Sequence, residues 1–327
     1  MTPKFPAPMF GNKSLVAHEV WKRIGNVDVW YEAFAGTANT TLARPMSHFT
    51  IPNRIEVIND INGFMVNVFR AIKFAPKEVA KYVDYPITEV DSIARYQFIK
   101  NGKKGFVDKM KGDAEYFCPK RAGWFIWNLC IWIGTDHLLK LTTNCWNKLP
   151  ELMTTKGILK ILRTEYHNGR IFTVDKKEKH IRKWIDTLHN RLRYVKVICG
   201  SWERAITAES MLAKKVGIFL DPPYPEDFNK KVKENYYAMK DRGTDVQKEV
   251  YKFCRDNGKR KNLRIAVCGY DSDGYEKLVT KHGWSEFKWS ASSGFAVYGE
   301  NEDTRNNRHR ERIYFSPHCR NQQRGLL

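Results

Sequence analysis

Val216-Gly217-Ile218-Phe219-Leu220 runs directly into Asp221-Pro222-Pro223-Tyr224. The first five residues are apolar or glycine, which favours a buried strand, and the two prolines that follow end it. Open α/β sheets build their sites at the carboxyl ends of their strands. We therefore expect Asp221 to lie at the functional edge of an α/β sheet.

Other short runs of β-branched and aromatic residues predict further strands of the same sheet. Amphipathic segments lie between these runs, and this alternation is typical of an α/β fold. A last pair of runs resembles a hairpin that closes the sheet edge. The predicted strands are residues 27–34, 54–59, 193–199 and 264–269, with the pair at 287–290 and 312–315.

More than a hundred residues separate the second predicted strand from the third, so we expect one fold that is interrupted by an inserted lobe. The predicted divisions are 1–73 and 191–327 for the main fold and 74–190 for the lobe. The lobe is rich in tryptophan and reads as mostly helical. Its end, residues 156–196, holds twelve lysines and arginines against four carboxylates, which predicts phosphate contacts or, alternatively, a solvated helix face.

The charge of the whole chain favours a polyanionic partner. There are 56 lysines and arginines against 36 carboxylates, a formal net charge of +20, and the sequence pI is about 9.6. Such an excess attracts polyanions by steering and counterion release. Nucleic acid is the favoured partner, with an anionic membrane or an acidic protein as the alternatives.

Cysteine and hydropathy patterns exclude several classes of protein. The seven cysteines are scattered, without metal-ligand spacing, so neither a disulfide framework nor a metal site is predicted. The N-terminus lacks a signal-peptide pattern, and no apolar run is long enough to span a bilayer. We expect no membrane partner and a cytoplasmic or nucleoid-associated location.

Asp221-Pro222-Pro223-Tyr224 carries the strongest chemical signal in the chain. The Asp221 carboxylate and the Pro222 carbonyl could accept the two hydrogens of an exocyclic amine such as N6 of adenine. Two prolines fix the backbone that carries the carbonyl, and the ring of Tyr224 offers a stacking face for an extruded base. The alternative is a proline-rich turn that only ends a strand.

Glu32-Ala33-Phe34-Ala35-Gly36-Thr37-Ala38-Asn39 follows the first predicted strand and precedes a helix-like segment. Gly36 would let the backbone approach a ligand, and the next helix N-terminus would favour a carboxylate. The full dinucleotide-binding glycine pattern is missing, so a simple turn is the alternative. Asp60 ends the second strand, where nucleotide-binding folds place an acid on the ribose hydroxyls; it could also cap a helix.

The order and spacing of these elements resemble the DNA adenine methylase family. Phe34-Ala35-Gly36 is similar to the family's cofactor loop, Asp60-Ile61-Asn62 to its Asp-Ile-Asn element and Asp221 to Tyr224 to its catalytic tetrapeptide. Met9-Phe10-Gly11-Asn12-Lys13 resembles its N-terminal cofactor element; Lys13 matches, while Met9 and Asn12 depart from it. Cys199-Gly200-Ser201-Trp202 resembles its Gly-Asp-Phe element, with Ser201 in place of the acid.

The resemblance also extends to residues that would bind DNA. Arg121 to Asn128, including Trp124, is similar to a stretch of the family's recognition lobe. A basic loop before the last strand would contact the phosphates beside the extruded base; its arginines are Arg305, Arg308, Arg310 and Arg312. The family's Arg-Tyr-Asn segment is not recognisable after Asn128, so no recognition sequence is carried over.

The resemblance implies a Rossmann-like methyltransferase with an inserted target-recognition domain. It would transfer a methyl group from S-adenosylmethionine directly to N6 of a flipped-out adenine in DNA, which we expect to be double-stranded, as in restriction-modification or phage DNA modification. The alternatives are an enzyme that methylates adenine in RNA and a catalytically silent DNA-binding relative. A monomer and a weak dimer are both compatible with the sequence. The implied cofactor-binding residues are Met9, Lys13, Phe34, Ala35, Gly36, Asp60, Ile61, Trp202 and Asp221.

Overall fold

A computed structural model gives the fold of the chain. It describes residues 3–7, 13–50, 52–84, 89–131, 166–167, 170–171, 181–223, 243–271, 273–289 and 310–320. The chain divides into two compact units. One comprises Met1–Gly11 and Asp60–Gly200, and the other comprises Asn12–Asn59 and Ser201–Leu327.

The strands form a seven-stranded mixed sheet and one short two-stranded pair. The strands are β1 (Val29–Glu32), β2 (Ile55–Asp60), β3 (Tyr166–His167), β4 (Arg170–Ile171), β5 (Val195–Cys199), β6 (Val216–Leu220), β7 (Leu263–Tyr270), β8 (Ser285–Lys288) and β9 (Glu311–Phe315). The order in the large sheet is β5-β2-β1-β6-β7-β9-β8, and β3 pairs with β4. These bounds confirm the predicted α/β fold, and β6 has the predicted ends.

Strand directions in the large sheet follow two patterns. β1 is parallel to both β2 and β6, and β6 is parallel to β7. β9 runs antiparallel to β7 and to β8, so the predicted pair of strands does close one edge. Parallel neighbours need crossover connections, and this is the reason that helices lie between the parallel strands in sequence.

The second unit has its core around two tryptophans beside β6. Helix α1 (Ala17–Ile24) buries Val20, Trp21 and Ile24, the spacing of one helix face, and ends at Gly25, whose φ of 68° stops the helix. The rings of Trp21 and Trp30 lie 4.2 Å apart. Trp30 also explains Gly217 in β6, because a Cβ at that glycine would lie 2.8 Å from the Trp30 ring.

The first unit is mainly helical in its described residues. Its helices are α3 (Gly63–Phe74), α4 (Pro76–Val83), α5 (Glu89–Lys100), α6 (Lys103–Gly112), α7 (Pro119–Ile131) and α8 (Ile181–Leu192). On α8 the buried residues Ile181, Ile185, Leu188 and Leu192 form one apolar stripe. The basic residues between them, such as Arg182 and Lys183, are exposed, and Arg182 pairs with Asp84 at 3.5 Å.

The remaining helices belong to the second unit. They are α2 (Asn39–Leu42), α9 (Trp202–Ala205), α10 (Gly243–Asn257) and α11 (Glu276–His282), with 3-10 turns at Met46–Thr50 and Ser210–Leu212. Across the described part of the chain, none of the helices has the length and apolar character needed to cross a bilayer.

Candidate active site

The strand order changes direction between β1 and β6. The chain passes from β1 to its neighbour on one side, β2, and from β6 to its neighbour on the other side, β7. Glu32, the last residue of β1, pairs with Phe219, the next to last of β6. Open α/β sheets bind ligands in the crevice outside such a switch point, so the loops after β1 and β6 define the candidate site.

Asp221 leaves β6 and pairs with a buried ammonium group. Lys13 Nζ lies 3.1 Å from Asp221 Oδ2 and 3.8 Å from Glu311 Oε2, and the Lys13 side chain is 6% exposed. Burial alone would lower the pKa of Lys13, but the negative charges of Asp221 and Glu311 outweigh it and hold that pKa above its usual range. Lys13 therefore stays a cation that fixes the position of the Asp221 carboxylate.

Cys268 of β7 completes the floor of this cluster. Its side chain is fully buried, and the Asp221 carboxylate is close enough to act on the thiol. Burial, together with the charge of Asp221, raises the pKa of the Cys268 thiol well above its ordinary value. The thiol therefore remains protonated, and it adds no second negative charge beside Asp221.

The carbonyl of Pro223, the second proline after Asp221, is hydrogen-bonded within the protein. Gln247 of α10, which is 6% exposed, donates its side-chain amide to the Pro223 carbonyl at 3.0 Å. This hydrogen bond anchors the end of the described Asp221-Pro222-Pro223 segment against α10. Since the Pro223 carbonyl is engaged in this way, the Pro222 carbonyl is the stronger candidate for holding a substrate amine. Tyr224 lies outside the described residues.

The loop after β1 is held from β2 and from β6. Ala33 N donates to Phe219 O at 3.2 Å, and Ala35 N donates to Asn59 O at 2.8 Å. The side chain of Asn59 donates to Ala33 O at 2.9 Å, so Asn59 contacts the loop twice. Gly36 has a φ of 47°, and a Cβ there would meet no atom within 4 Å. The loop therefore has a fixed backbone with open space above its glycine.

The helix that follows the loop is shorter than predicted. Helix α2 has only four residues and begins after Ala38, which itself has a left-handed φ of 51°. A single turn carries a small dipole, so the attraction of its N-terminus for a carboxylate is weaker than the sequence suggests. The fixed backbone of the loop, and not the helix, is the main feature that could receive a ligand.

Glu32 lies buried beneath the loop at the end of β1. It accepts hydrogen bonds from Thr41 N at 2.7 Å and from the Thr41 hydroxyl, and that hydroxyl accepts one from Trp30 Nε1 at 2.8 Å. Burial raises the pKa of Glu32 to about 7, the Thr41 hydrogen bonds oppose the rise, and the charge of Asp221 adds to it. Glu32 thus ties the loop to α2.

The loop after β1 carries an aromatic ring that stacks on Trp202 of α9, and an acid ends β2. The rings of Phe34 and Trp202 stack with centroids 5.9 Å apart, and Phe34 is partly exposed. Asp60 is the last residue of β2 and accepts a hydrogen bond from Asn62 N at 2.8 Å. The helix cap of α3 is Asn62, which accepts from Phe64 N at 3.0 Å, and not Asp60. Ile61 follows and is partly buried.

The side chain of Asn128 is fully buried and donates to Trp124 O at 2.7 Å, which favours a packing role over the predicted DNA contact. Arg121 donates to Ile99 O at 2.8 Å and to Asn101 O at 2.9 Å, which joins α7 to the end of α5. This use of the guanidinium favours a packing role for Arg121 over the predicted DNA contact.

Trp124 stays a prediction as a DNA contact. Its side chain is partly exposed. Lys120 Nζ lies over the ring, 4.4 Å from the ring centroid. Among the predicted basic-loop residues, Arg310 pairs with Asp271 at 3.0 Å and is 29% exposed. Met9, Arg305 and Arg308 lie outside the described residues.

The sequence reasoning missed four residues that the structure places around the candidate site. They are Glu32, Gln247, Cys268 and Glu311. Glu32 was visible in the loop motif, but nothing in the motif indicates that it is buried. In the described part of the chain no cluster of histidine, cysteine and carboxylate side chains could hold a metal ion.

Comparison with known families identifies the class of this protein. The family model for D12 class N6 adenine-specific DNA methyltransferases matches residues 10–291. A comparison with curated proteins found no match. The chain belongs to the D12 class, and it is therefore an S-adenosylmethionine-dependent enzyme that methylates N6 of adenine in DNA at specific sites. The seven-stranded mixed sheet is consistent with the methyltransferase fold of that class.

Proposed function

We propose that the chain transfers a methyl group directly to an adenine extruded from duplex DNA, at the crevice outside β1 and β6. The observation that carries this proposal is the Asp221 carboxylate at the carboxyl end of β6, 3.1 Å from the buried Lys13 ammonium. Asp221 is beside the loop after β1, since Ala33 N donates to Phe219 O. A cofactor on that loop and an amine at Asp221 would be neighbours.

The residues of the loop fit S-adenosylmethionine. The open space above Gly36 would take the methionine part, and Phe34 with Trp202 offers apolar ring surface for the adenine part. Asp60, at the end of the neighbouring strand, would accept the ribose hydroxyls. When bound, the cofactor supplies a methyl group on a sulfonium centre that leaves as a neutral thioether. Met9, Lys13, Ala35 and Ile61 complete the proposed cofactor set.

The amine-holding step would depend on two acceptors from this chain. Asp221 accepts one hydrogen of N6 and the Pro222 carbonyl accepts the other, which directs the nitrogen lone pair toward the methyl group. The bond between nitrogen and the methyl carbon would form as the bond from that carbon to sulfur breaks, and the methylated nitrogen would then lose one proton to solvent. Gln247 contributes by holding the next carbonyl, that of Pro223, at 3.0 Å. Tyr224 would stack on the extruded base, and Pro223 keeps the backbone rigid. These residues provide orientation and electrostatics, without a covalent enzyme intermediate.

We further propose that residues 74–190 form the target-recognition insertion between catalytic parts 1–73 and 191–327. The exposed basic residues on α8, such as Arg182 and Lys183, support phosphate contact by this region. The proposed DNA-contacting residues of the chain are Trp124, Arg305, Arg308 and Arg310. Phosphate contacts position the duplex, and base contacts select the sequence.

Substrate choice is tested by incubating the protein with radiolabelled S-adenosylmethionine and one of three polymers. Duplex DNA, the same DNA as separated strands, and RNA of equivalent sequence are digested afterwards and analysed for N6-methylated adenosine. We expect label in N6-methyldeoxyadenosine from duplex DNA, with much less from the other two. Preferential methylation of single strands or RNA would contradict the proposed duplex substrate, and label on cytosine would contradict the site chemistry.

A further inference from the structure

Glu311 brings a second carboxylate to the ammonium that pairs with Asp221. Lys13 Nζ lies 3.1 Å from Asp221 Oδ2 and 3.8 Å from Glu311 Oε2. Glu311 opens β9 and pairs with Tyr270, the last residue of the antiparallel neighbour β7. Because β7 is parallel to β6, Tyr270 and Asp221 lie at the same edge of the sheet. The register of β9 therefore places Glu311 at the edge of the sheet where the candidate active site lies.

We infer that Glu311 is a positioning residue that acts through Lys13 and keeps the Asp221 carboxylate available to the target amine. The inference rests on the proposed role of Asp221 as the acceptor for N6. Glu311 does not need to touch the substrate for this purpose. The Glu311 carboxylate attracts the Lys13 ammonium, which would otherwise interact with Asp221 alone.

The chemistry of the two groups supports a shared ammonium. Lys13 Nζ is within hydrogen-bond distance of Asp221 Oδ2 at 3.1 Å, whereas Glu311 Oε2 at 3.8 Å acts on the ammonium through its charge. The side chains of Asp221 and Glu311 are 16% and 14% exposed, and in such partly desolvated surroundings charge interactions are stronger than in bulk water. Without the Glu311 charge, Lys13 would bind Asp221 more tightly, and Asp221 would be a weaker acceptor for the amine.

The summed charge of the trio Lys13, Asp221 and Glu311 also favours methyl transfer when Glu311 is ionised. One ammonium and two carboxylates sum to a charge of −1, next to an amine nitrogen that becomes positive as the methyl group arrives. A fixed negative environment favours that development of charge. Replacing Glu311 by a neutral side chain makes the trio neutral. Both effects predict slower methyl transfer with unchanged binding, which separates this role from a purely structural one.

Glu311→Gln tests the inference in single-turnover methylation of duplex DNA. We expect the transfer rate to fall by roughly tenfold or more, while the dissociation constants for S-adenosylmethionine and for DNA stay within about twofold. Glu286→Gln is the matched control, because Glu286 lies on the neighbouring strand β8 and pairs with Arg312 at 3.1 Å. The control should keep the wild-type rate. A wild-type rate in Glu311→Gln would overturn the inference.

A double-mutant cycle with Lys13→Gln separates action through Lys13 from an independent effect. In the Lys13→Gln background, Glu311→Gln should lower the rate by a clearly smaller factor than in the wild-type background, because only the direct effect of its charge remains. An equal fall in both backgrounds would contradict action through Lys13. Glu311→Asp keeps the charge and should recover most of the rate, whereas a packing role for Glu311 would make the shorter aspartate more harmful than the similarly sized glutamine. Thermal melts of each variant show that it is folded.

The same experiments distinguish this inference from the proposed role of Asp221. If Asp221→Asn abolishes transfer while Glu311→Gln does not change it, the acceptor role stands and the inference about Glu311 falls. If Asp221→Asn keeps full transfer, the acceptor role falls, and the inference about Glu311 falls with it.

Discussion

Replacing Glu32 by glutamine is expected to stabilise the protein above neutral pH. Glu32 is 3% exposed, and burial raises its pKa from 4.5 to about 7. Between these two values the folded chain keeps a proton that the unfolded chain has lost, so stability falls as the pH rises through this window and stays low above it. A rise from 4.5 to about 7 corresponds to roughly 3 kcal/mol of lost stability.

Glutamine removes this pH-dependent loss and keeps an acceptor for Thr41 N, which now donates to Glu32 at 2.7 Å. The assay is the melting temperature of wild type and Glu32→Gln from pH 5 to pH 8. We expect the difference between the two, variant minus wild type, to grow by about 4 °C over this range, since about 2.5 kcal/mol of the loss falls between these pH values and 1 kcal/mol shifts a protein of this size by roughly 1.5 °C.

Glu19→Gln is the matched control, because Glu19 is a partly exposed carboxylate on α1 that pairs with Arg23 at 2.7 Å. It measures how much of the pH dependence follows from the loss of any one carboxylate. A difference between Glu32→Gln and wild type that is constant from pH 5 to pH 8 would refute the reasoning, and so would one that shrinks as the pH rises.

Three further substitutions test the packing and the cofactor loop. Gly217→Ala should destabilise the protein by about 1–3 kcal/mol in urea unfolding, because its Cβ would lie 2.8 Å from the Trp30 ring; unchanged stability would contradict this packing. Trp202→Ala should weaken S-adenosylmethionine binding on the order of tenfold in calorimetry, since it removes the ring stacked on Phe34, and unchanged affinity would remove Trp202 from the site. Arg44→Met should lower the free energy of unfolding by about 3–5 kcal/mol, because it leaves the buried Glu56 carboxylate, now 3.2 Å away, without this cation. The double variant Arg44→Met with Glu56→Met should lose less stability. Equal losses in the single and double variants would contradict a penalty for the buried charge.

The fold and the position of Asp221 were predictable because they depend on local pattern. The apolar run from Val216 to Leu220 and the prolines after it are contiguous, and β6 has the predicted bounds. The loop at Gly36 and the acid at Asp60 also follow their strands directly. Such features need only the alternation of strand and helix, together with the rule that sites lie at the carboxyl ends of parallel strands.

The neighbours of Asp221 were not predictable, since distant parts of the chain supply them. Glu311 reaches the site through the antiparallel register of β9 on β7, and Gln247 through the packing of α10. No local pattern reports a register between strands that are 40 residues apart. The burial of Asn128 was not predictable for a similar reason: the motif gave its spacing from Trp124, but not that its side chain is buried.

The rate of methyl transfer by Asp221→Asn tests the central claim most directly. Asparagine keeps the size of the side chain but removes the negative charge that would hold the amine and pair with Lys13. In single-turnover reactions on duplex DNA, we expect the transfer rate to fall by at least roughly 100-fold, with little change in affinity for S-adenosylmethionine. A variant that binds the cofactor and transfers methyl groups within about threefold of the wild-type rate would contradict the assignment of Asp221 as the acceptor.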